Sequence, residues 1–583
     1  MSRKLFTFVT LFMVLVMVAT ACAPAATPAP TQAPAKPPEP TKAPAPAPTQ
    51  PPAPTKAPEP TKPPAKKTFI FGAQGEPVCL DPAIITDGIS ARVTNQVFEG
   101  LVKFDGNTTN VVASLAEKWE TSADGKVWTF YLRKGVKFHD GTPFNAAAVV
   151  YNWDYWVNTK NPLHKAQVDA GQTFDYYGNQ FSGFDGDSFI TKVEAKDDTT
   201  VVFTLRDPQG PFLNNLAMFV FVFSSPTALG KAGNDSCKNP VGTGPFKFVE
   251  WKPDQYVTLQ KFADYWDTKN VAKVDEVIIR DIKDNSARLN ALKAGEVHGV
   301  EGMEPDAIKA LQADKNFQVL LRPANTTGYV AFNYNVKEFQ NVKVREAFAH
   351  AINKKAIADA FYGGGGQPAK EFQPPALWGY NDKIVDYDYN VDKAKALLAE
   401  AGFKDGLKEI TWADGKKTPL EFWYMPVSRP YYPNPKDAGE AMAADLAKAG
   451  IQVTLKTVDW SVYLDQRTKG LMPLYMLGWT GDNGDPDNFV CYFFCLDAKD
   501  TPKAAEGFFG DKEVSDLLKK AATTVKQADR TPLYQQAEQM IHDKVLRVFI
   551  ANNQPPLAFS AKVKGYVPNP TGTEFFNTVE VAP

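Results

Sequence analysis

The feature that most constrains the fold is a strand, helix and strand pattern in the last third of the chain. Three short apolar runs, at residues 420–424, 451–455 and 474–477, have the composition of β-strands, and a helix pattern ending at Gly450 separates the first two. Parallel strands joined through helices place their carboxyl ends at one edge of the sheet, where open α/β sheets bind ligands. The pattern therefore predicts an α/β lobe with a binding edge.

Two opposite charges follow these strands. Arg429 lies in a proline-framed loop after the first run, and Asp482 follows the last run. A guanidinium can hold a carboxylate through two parallel hydrogen bonds, and a compact carboxylate suits an ammonium group. One cation and one anion at the same edge predict a site for a small zwitterion.

Each charged residue also has an ordinary structural interpretation. Arg429 can be a surface residue or belong to an internal ion pair, and Asp482 can be a turn residue because its surroundings are rich in turn formers. A calcium loop is a third interpretation for Asp482, but its twelfth position is Phe493 instead of the required glutamate. No metal site is therefore expected here.

Aromatic residues near the two charges are candidates for the walls of a ligand pocket. Trp479, Tyr431 and Tyr432 can line side-chain pockets or cover the ligand backbone, or they can simply pack in a core. The 11 tryptophans of the chain leave room for a sugar stacked on aromatic faces. A sugar, however, does not need two opposed full charges.

The first 22 residues predict export. Arg3 and Lys4 precede an apolar run at residues 5–18, which is too short for a membrane span, and small residues lead to Cys22. A cysteine after small residues resembles the lipobox of bacterial lipoproteins, which implies a signal peptide at 1–21 and a lipidated Cys22. Ordinary signal cleavage beside a chance cysteine is the alternative.

Residues 22–67 predict a tether between the lipid and the folded body. After Cys22 this segment is almost wholly Pro, Ala, Thr, Lys and Gln, so it cannot bury a core and favours an extended chain. Removing its charge of +4, and +2 from the signal, from the total of -2 leaves -8 on residues 68–583. That balance argues against nucleic acid as a partner.

The cysteines predict disulfides outside the cytoplasm. Lipidation of Cys22 leaves four cysteines with three possible pairings, of which Cys79 with Cys237 and Cys491 with Cys495 is preferred. Metal binding by these four is disfavoured because no CxxC motif or nearby histidine supports it.

Motifs in the body carry a family resemblance. Apolar strands and helices alternate through residues 126–132, 145–157, 274–280, 285–292, 344–361 and 392–401, as in α/β lobes. The chain also contains Leu115-Ala116-Glu117-Lys118-Trp119, Val136-Lys137-Phe138-His139-Asp140-Gly141, Asn239-Pro240-Val241-Gly242-Thr243-Gly244-Pro245-Phe246, Ala291-Leu292-Lys293-Ala294-Gly295-Glu296 and Val344-Arg345-Glu346-Ala347-Phe348. Over residues 68–583 these resemble the family 5 extracellular solute-binding proteins, the peptide, nickel and oligosaccharide receptors of ABC importers.

Two further segments are most similar to those of the dipeptide-binding members. They are Met425-Pro426-Val427-Ser428-Arg429-Pro430-Tyr431 and Gly478-Trp479-Thr480-Gly481-Asp482. The resemblance implies that Arg429 binds the peptide carboxylate and Asp482 the α-ammonium, with Tyr431, Gly478, Trp479 and Thr480 beside them. No cofactor is implied.

The resemblance also implies the architecture, an α/β two-lobed periplasmic-binding-protein-like (type II) fold with an extra inserted α/β subdomain. Lobe I combines residues 68–108, 236–330 and 556–583, the inserted subdomain is 109–235, and lobe II is 331–555. The expected protein is an extracytoplasmic monomer, anchored to the bacterial cell membrane, that delivers short peptides to an ABC permease.

Two alternatives remain at this point. One is an oligopeptide or oligosaccharide receptor on the same fold, and the other is an exported hydrolase. The sequence lacks a GxSxG elbow, an HExxH motif and a Walker-type loop, and its five histidines are far apart. No catalytic residue is therefore expected.

Overall fold

The structure is a computed structural model that describes residues 66–496, 499–572 and 574–582. The predicted export signal, Cys22 and residues 23–65 of the predicted tether lie outside the described residues. Within the described part of the chain, none of the helices has both the length and the apolar character needed to cross a membrane.

The β-strands are numbered in chain order. They are β1 (Thr68–Ala73), β2 (Val102–Phe104), β3 (Val111–Ala113), β4 (Ala116–Thr121), β5 (Val127–Leu132), β6 (Ile190–Asp197), β7 (Thr200–Leu205), β8 (Phe246–Lys252), β9 (Tyr256–Lys261), β10 (Glu276–Asp281), β11 (Gly299–Glu301), β12 (Phe317–Leu321), β13 (Thr326–Phe332), β14 (Gly366–Pro368), β15 (Glu409–Thr411), β16 (Lys417–Pro419), β17 (Glu421–Trp423), β18 (Thr454–Lys456), β19 (Leu474–Thr480), β20 (Arg547–Asn553), β21 (Pro556–Ser560), β22 (Val563–Lys564) and β23 (Glu580–Val581).

The α-helices are numbered in the same way. They are α1 (Gly88–Val97), α2 (Ala146–Val157), α3 (Pro162–Asp169), α4 (Asp175–Gln180), α5 (Phe212–Leu216), α6 (Pro226–Ala232), α7 (Asn285–Ala294), α8 (Pro305–Ala313), α9 (Val342–Ala351), α10 (Lys354–Phe361), α11 (Val391–Glu400), α12 (Pro435–Lys448), α13 (Trp460–Thr468), α14 (Val490–Phe494), α15 (Lys512–Thr523) and α16 (Gln527–Asp543).

A seven-stranded sheet has the order β12-β21-β11-β1-β10-β9-β8. Its central strand, β1, is parallel to both neighbours, β10 and β11, and buries Phe69 and Phe71 completely. Strands in the middle of a sheet have apolar sequences, and the Phe-Ile-Phe sequence at residues 69–71 of β1 fits this position.

A six-stranded sheet has the order β14-β20-β13-β19-β17-β18. Strand β17 is parallel to β18 on one side and to β19 on the other, with Phe422 opposite Leu474. Helix α12 connects β17 to β18 and buries Met442 and Leu446. The predicted strand, helix and strand unit is thus confirmed, and the chain leaves β17 and β19 at the same edge of the sheet.

A four-stranded antiparallel sheet, β4-β5-β7-β6, is formed by the part of the chain between β1 and β8 of the seven-stranded sheet. Helix α2 packs on it and buries Trp153, whose ring meets Phe203 edge to face with the centroids 4.9 Å apart. The Asn145 side chain accepts a hydrogen bond from the Ala148 amide and so caps the helix.

The chain crosses between the two large sheets at two neighbouring places. Strand β12 belongs to the seven-stranded sheet and β13 to the six-stranded sheet, while β20 and β21 cross in the opposite direction. The Arg322 amide donates to the Pro555 carbonyl at 3.1 Å, so the two crossings are in contact. Strand β13 begins at Thr326, before the expected lobe boundary at residue 331.

Three local expectations differ from the structure. Strand β19 continues to Thr480 instead of ending at Leu477, because its last residues pair with β13. The expected helix at 344–361 is two helices, since Asn353 caps the start of α10. The expected strand at 451–455 is shorter, with β18 limited to Thr454–Lys456.

Two disulfides join the four cysteines of the body, in the pairing preferred from sequence. One connects Cys79 to Cys237, 158 residues apart, and the other connects Cys491 to Cys495 across α14.

Candidate functional site

Arg429 is presented by a tight turn in the loop between β17 and α12. Arg429 and Tyr432 exchange two backbone hydrogen bonds, of 3.0 and 2.9 Å. The Arg429 side chain is exposed, and its guanidinium carbon lies 4.9 Å from the centroid of the half-buried Trp460 ring. Among the described residues no carboxylate forms an ion pair with it, so the donors of this guanidinium are not taken up by an internal carboxylate.

The rest of this loop is held by buried tyrosines. Tyr431 is 9% exposed, and its carbonyl accepts a hydrogen bond of 2.9 Å from the Tyr362 hydroxyl. Tyr432 is completely buried. The Tyr431 ring lies so close to Gly478 that an added Cβ on the glycine would be 2.3 Å from ring atoms. The loop carrying Arg429 therefore rests directly on β19.

Asp482 lies two residues beyond the end of β19. Its Oδ1 accepts a hydrogen bond from the Tyr176 hydroxyl at 3.3 Å, and its Oδ2 accepts one from the Asn488 amide at 3.4 Å. The Asp482 backbone amide donates to Oδ1 of Asn488 at 2.9 Å. These contacts fix the direction of the carboxylate without neutralising its charge.

The environment of Asp482 makes its negative charge costly in the absence of a cation. Burial raises the pKa of this carboxyl to about 6, although the hydrogen bonds from Asn488 and Tyr176 lower it. At neutral pH the group is therefore mainly ionised, and it has no cationic partner among the described residues. A half-buried, unneutralised carboxylate at a sheet edge is suited to bind a ligand ammonium group.

The remaining predicted residues form the wall beside Asp482. Trp479 donates from its indole Nε1 to Asn488 Oδ1 at 3.0 Å, and its ring stacks on Tyr492 with the centroids 5.1 Å apart. Thr480 is half-buried and pairs with Thr326 at the end of β19. The structure thus places the predicted site residues on two adjoining segments, 429–431 and 478–482.

A second aspartate in the same turn has a different role. Both oxygens of the buried Asp485 accept hydrogen bonds of 2.7 Å from Arg530, which is itself almost completely buried. The Asp485 charge is therefore neutralised within the protein. Asp482, in contrast, forms no ion pair within the described residues and accepts a hydrogen bond from Tyr176 of α4.

The acidic residues that lie close enough together to share a metal ion are not those near Arg429 and Asp482. Within the described ranges, one group of acidic residues has its ligand atoms within 4.8 Å of one another, namely Glu76, Asp254 and Asp281. Lys283 already lies among them, with its Nζ 2.8 Å from Asp254 Oδ1. This group belongs to the seven-stranded sheet and its loops, not to the segments carrying Arg429 and Asp482.

The histidine of the family motif has a structural environment. His139 Nε2 lies 2.9 Å from the Gly244 carbonyl oxygen, and the ring meets Phe262 edge to face. Burial lowers the pKa of His139 to about 4, so the ring is neutral at physiological pH. It joins two motifs that carry the family resemblance and is remote in sequence from the charged pair.

Sequence reasoning missed two residues of the site. Asn488 hydrogen-bonds both Asp482 and Trp479, and its position in the same polar turn was a usable signal. Tyr176 comes from α4, 306 residues away from Asp482, and no local pattern indicated that it would reach this carboxylate.

The sheets and the charged edge define an α/β solute-binding protein, and comparison with known proteins identifies the group. Residues 110–500 match the bacterial extracellular solute-binding proteins, family 5. The dipeptide-binding protein of Escherichia coli is 36% identical over 88% of this chain and 95% of its own length. Heme-binding protein A of Haemophilus influenzae is 35% identical over 89% of this chain and 93% of its own length.

Solved structures have the same fold. HbpA2 from Haemophilus parasuis superposes with a TM-score of 0.80 at 33% identity, covering 88% of this chain and all of that chain. The dipeptide-binding protein from Pseudoalteromonas sp. SM9913 in complex with Met-Leu superposes with a TM-score of 0.69 at 28% identity. The match covers 88% of this chain and 100% of that chain. The chain belongs to the family 5 extracellular solute-binding proteins and has their two-lobed type II fold. This family is a class of binding receptors, not of enzymes.

Proposed function

We propose that this protein is the receptor of an ABC importer for short peptides, with dipeptides as the expected ligand. The observation that carries the proposal is the pair of unneutralised opposite charges, Arg429 and Asp482, on adjoining segments of one sheet edge. Relatives that are named for dipeptide and di/tripeptide binding support the same ligand class.

In this proposal the two ends of the peptide are bound by different means. Arg429 holds the carboxylate through two parallel hydrogen bonds, and Asp482 accepts hydrogen bonds from the α-ammonium. Trp479 and Tyr431 border the ligand, while Gly478 and Thr480 offer backbone groups at the end of β19. Because the ligand backbone supplies both charges, its side chains can vary.

Closure of the lobes around the ligand is the signal that the permease reads. We assign the seven-stranded sheet to lobe I, the four-stranded sheet to the inserted subdomain of residues 109–235, and the six-stranded sheet, including all of β13, to lobe II. A ligand that contacts both lobes stabilises the closed arrangement by its differential affinity for it.

The location of the protein is part of the proposal. Cleavage before Cys22 and lipidation of its thiol would hold a monomeric receptor at the outer face of the cell membrane through the tether. Cys22→Ser should move the protein from the membrane fraction to the soluble extracytoplasmic fraction. If the variant stayed with the membrane, another element would be the anchor.

A ligand and variant cycle tests the charge assignment. Titration calorimetry would compare Ala-Ala with its N-acetyl and C-amide forms on the wild type, Arg429→Ala and Asp482→Asn. Each variant should lose about 2 kcal/mol of binding to Ala-Ala, and Arg429→Ala should no longer discriminate against the amide. Asp482→Asn should no longer discriminate against the acetyl form.

The matched control is Arg206→Ala, which removes an exposed arginine next to the four-stranded sheet. It should bind like the wild type. Equal wild-type affinity for free, acetylated and amidated peptides would contradict the zwitterion site.

Native mass spectrometry of the purified protein, followed by denaturation, would separate the alternative ligands. Dipeptide masses would support the proposal, whereas a sugar or haem mass would show that the ligand is not a peptide.

A further inference from the structure

A contact between the inserted subdomain and lobe II involves none of the residues proposed to bind the ligand. In the loop after β7, the Gly210 amide donates a hydrogen bond to the Ala522 carbonyl of α15 at 2.7 Å. Val525, in the connection between α15 and α16, packs on the hydrophobic core that contains the four-stranded sheet. We call the packing of Gly125 and Gly210 against residues 522–530 the interlobe contact.

Gly210 lies against a side chain that is held in place by its own lobe. A Cβ added to this glycine would be 2.5 Å from the Thr524 carbonyl oxygen and 2.6 Å from Arg530 Nε. Arg530 is 2% exposed. Its Nε donates to the Ala521 carbonyl at 3.0 Å, and its terminal nitrogens donate to both oxygens of Asp485 at 2.7 Å. The surface that receives Gly210 is therefore fixed.

The need for glycine at position 210 comes from the interlobe contact and not from the backbone. The φ of Gly210 lies outside the left-handed region that favours glycine, so the backbone of its own loop accepts an alanine. At Gly125, in the turn between β4 and β5, an added Cβ would be 2.4 Å from Val525 Cγ2. Two glycines thus allow the close approach, and an alanine at position 210 would act on the interlobe contact alone.

The free energy of closing the lobes contributes equally to the affinity for every ligand. Rotation about the two crossings opens the proposed cleft, and it would separate Gly210 from Arg530 because these residues belong to different lobes. The apparent dissociation constant is the intrinsic constant divided by the fraction of protein in the closed, binding-competent form. A contact made only in the closed form therefore changes the dissociation constants of all ligands by one factor.

We propose that the interlobe contact is a closure latch, which sets the closed fraction of the receptor and hence its affinity for every ligand. Arg429 and Asp482 then decide which ligand binds, while the latch decides how tightly any ligand is held. The inference rests on lobe closure in the proposed function, but it does not require the ligand to be a peptide. Opening returns the Gly210 amide and the Ala522 carbonyl to water, so the latch favours the closed form by one hydrogen bond and the packing of Val525.

The test compares Gly210→Ala with Gly186→Ala in the full chain. Gly186 is an exposed glycine of the same subdomain, and a Cβ there meets nothing within 4 Å. Titration calorimetry with Ala-Ala and its C-amide would give a dissociation constant for each peptide. For Gly210→Ala we expect about tenfold weaker binding of both peptides, with the wild-type ratio between them. Gly186→Ala should match the wild type.

A second variant and a measurement without ligand complete the test. Val525→Ser removes the apolar packing without filling any space, and it should weaken the binding of both peptides in the same ratio. Small-angle X-ray scattering of the unliganded proteins should give a larger radius of gyration for Gly210→Ala and Val525→Ser than for the wild type and Gly186→Ala. The scattering experiment reports the separation of the lobes and uses no peptide.

The outcomes separate the latch from the function on which it rests. If the wild type does not bind Ala-Ala, the proposed ligand is wrong, and the scattering comparison still decides the role of the interlobe contact. Wild-type affinity and radius of gyration in both variants would overturn the latch, and a lower melting temperature alone would make the contact merely structural. A loss for Ala-Ala that differs from the loss for its amide would place the effect at the ligand site and likewise overturn the proposal.

Discussion

The Tyr431 ring and the Gly478 backbone are in direct contact, and this contact joins the two segments that carry Arg429 and Asp482. A Cβ on Gly478 would lie 2.3 Å from two atoms of the Tyr431 ring and 2.7 Å from the Thr327 carbonyl oxygen. The glycine is required here for close approach. The position of the arginine loop is therefore set by the absence of a side chain on β19.

We expect Gly478→Ala to weaken peptide binding at least tenfold, because the added methyl displaces Tyr431 and with it the loop of Arg429. Overpacking of this kind also costs about 1–3 kcal/mol of folding stability. Calorimetric titration and denaturant unfolding would measure the two effects. Gly88→Ala is the control, since a Cβ there meets nothing within 4 Å. Wild-type affinity in Gly478→Ala would show that the contact does not position the loop.

Peptide binding should be lost at acid pH through the protonation of Asp482. The free carboxyl has a pKa of about 6, and a bound ammonium would lower it. Affinity is then fully present only well above pH 6 and declines as the pH falls through that value, by about tenfold at pH 5. The ligand carboxyl titrates near 3.5 and does not contribute in this range. A flat affinity between pH 5 and 7.5 would remove Asp482 from the site.

The two disulfides should differ in their contribution to stability. By the chain-entropy relation, the bond Cys79–Cys237 closes a long loop and should add about 5 kcal/mol to the free energy of unfolding. The bond Cys491–Cys495 closes a short loop and should add about 2 kcal/mol. Denaturant unfolding of the paired serine variants, Cys79→Ser with Cys237→Ser and Cys491→Ser with Cys495→Ser, would measure the difference. Equal losses would indicate that local strain or packing, not loop length, determines both values.

Two buried glutamates should make the fold less stable at alkaline pH. Glu371 and Glu538 are completely buried, and burial raises the pKa of both carboxyl groups. The negative charge of Glu538 raises the pKa of Glu371 further. Their stabilising contribution is present at low pH and is lost as the pH rises through the raised values in the folded state.

Glu371→Gln should reduce this alkaline loss, because the amide keeps an oxygen for the Asn381 N–H and carries no charge toward Glu538. Unfolding free energies between pH 5 and 9 would fall less steeply than in the wild type. Glu304→Gln, on the exposed start of α8, is the control and should retain the wild-type slope. An unchanged slope in Glu371→Gln would place the titration elsewhere.

The sequence alone predicts the structure correctly where local signals and burial agree. The start of α2 at Asn145 and the parallel strands around Arg429 follow from capping residues and apolar runs. The extension of β19 to Thr480 was missed because it depends on pairing with Thr326, about 150 residues away. The contact between Tyr176 and Asp482 was missed for the same reason, since it exists only after distant parts of the chain have packed.

The nested arrangement of the sheets also determines when the protein can complete its fold. In the seven-stranded sheet, β21 lies between β12 and β11, and β21 is Pro556–Ser560. Strand β12 therefore has no sheet partner until almost the entire chain is present. A polypeptide that crosses a membrane from its amino end must keep this sheet unfinished through most of its passage, and premature release near residue 550 would leave the edges of two strands, β11 and β12, open to aggregation.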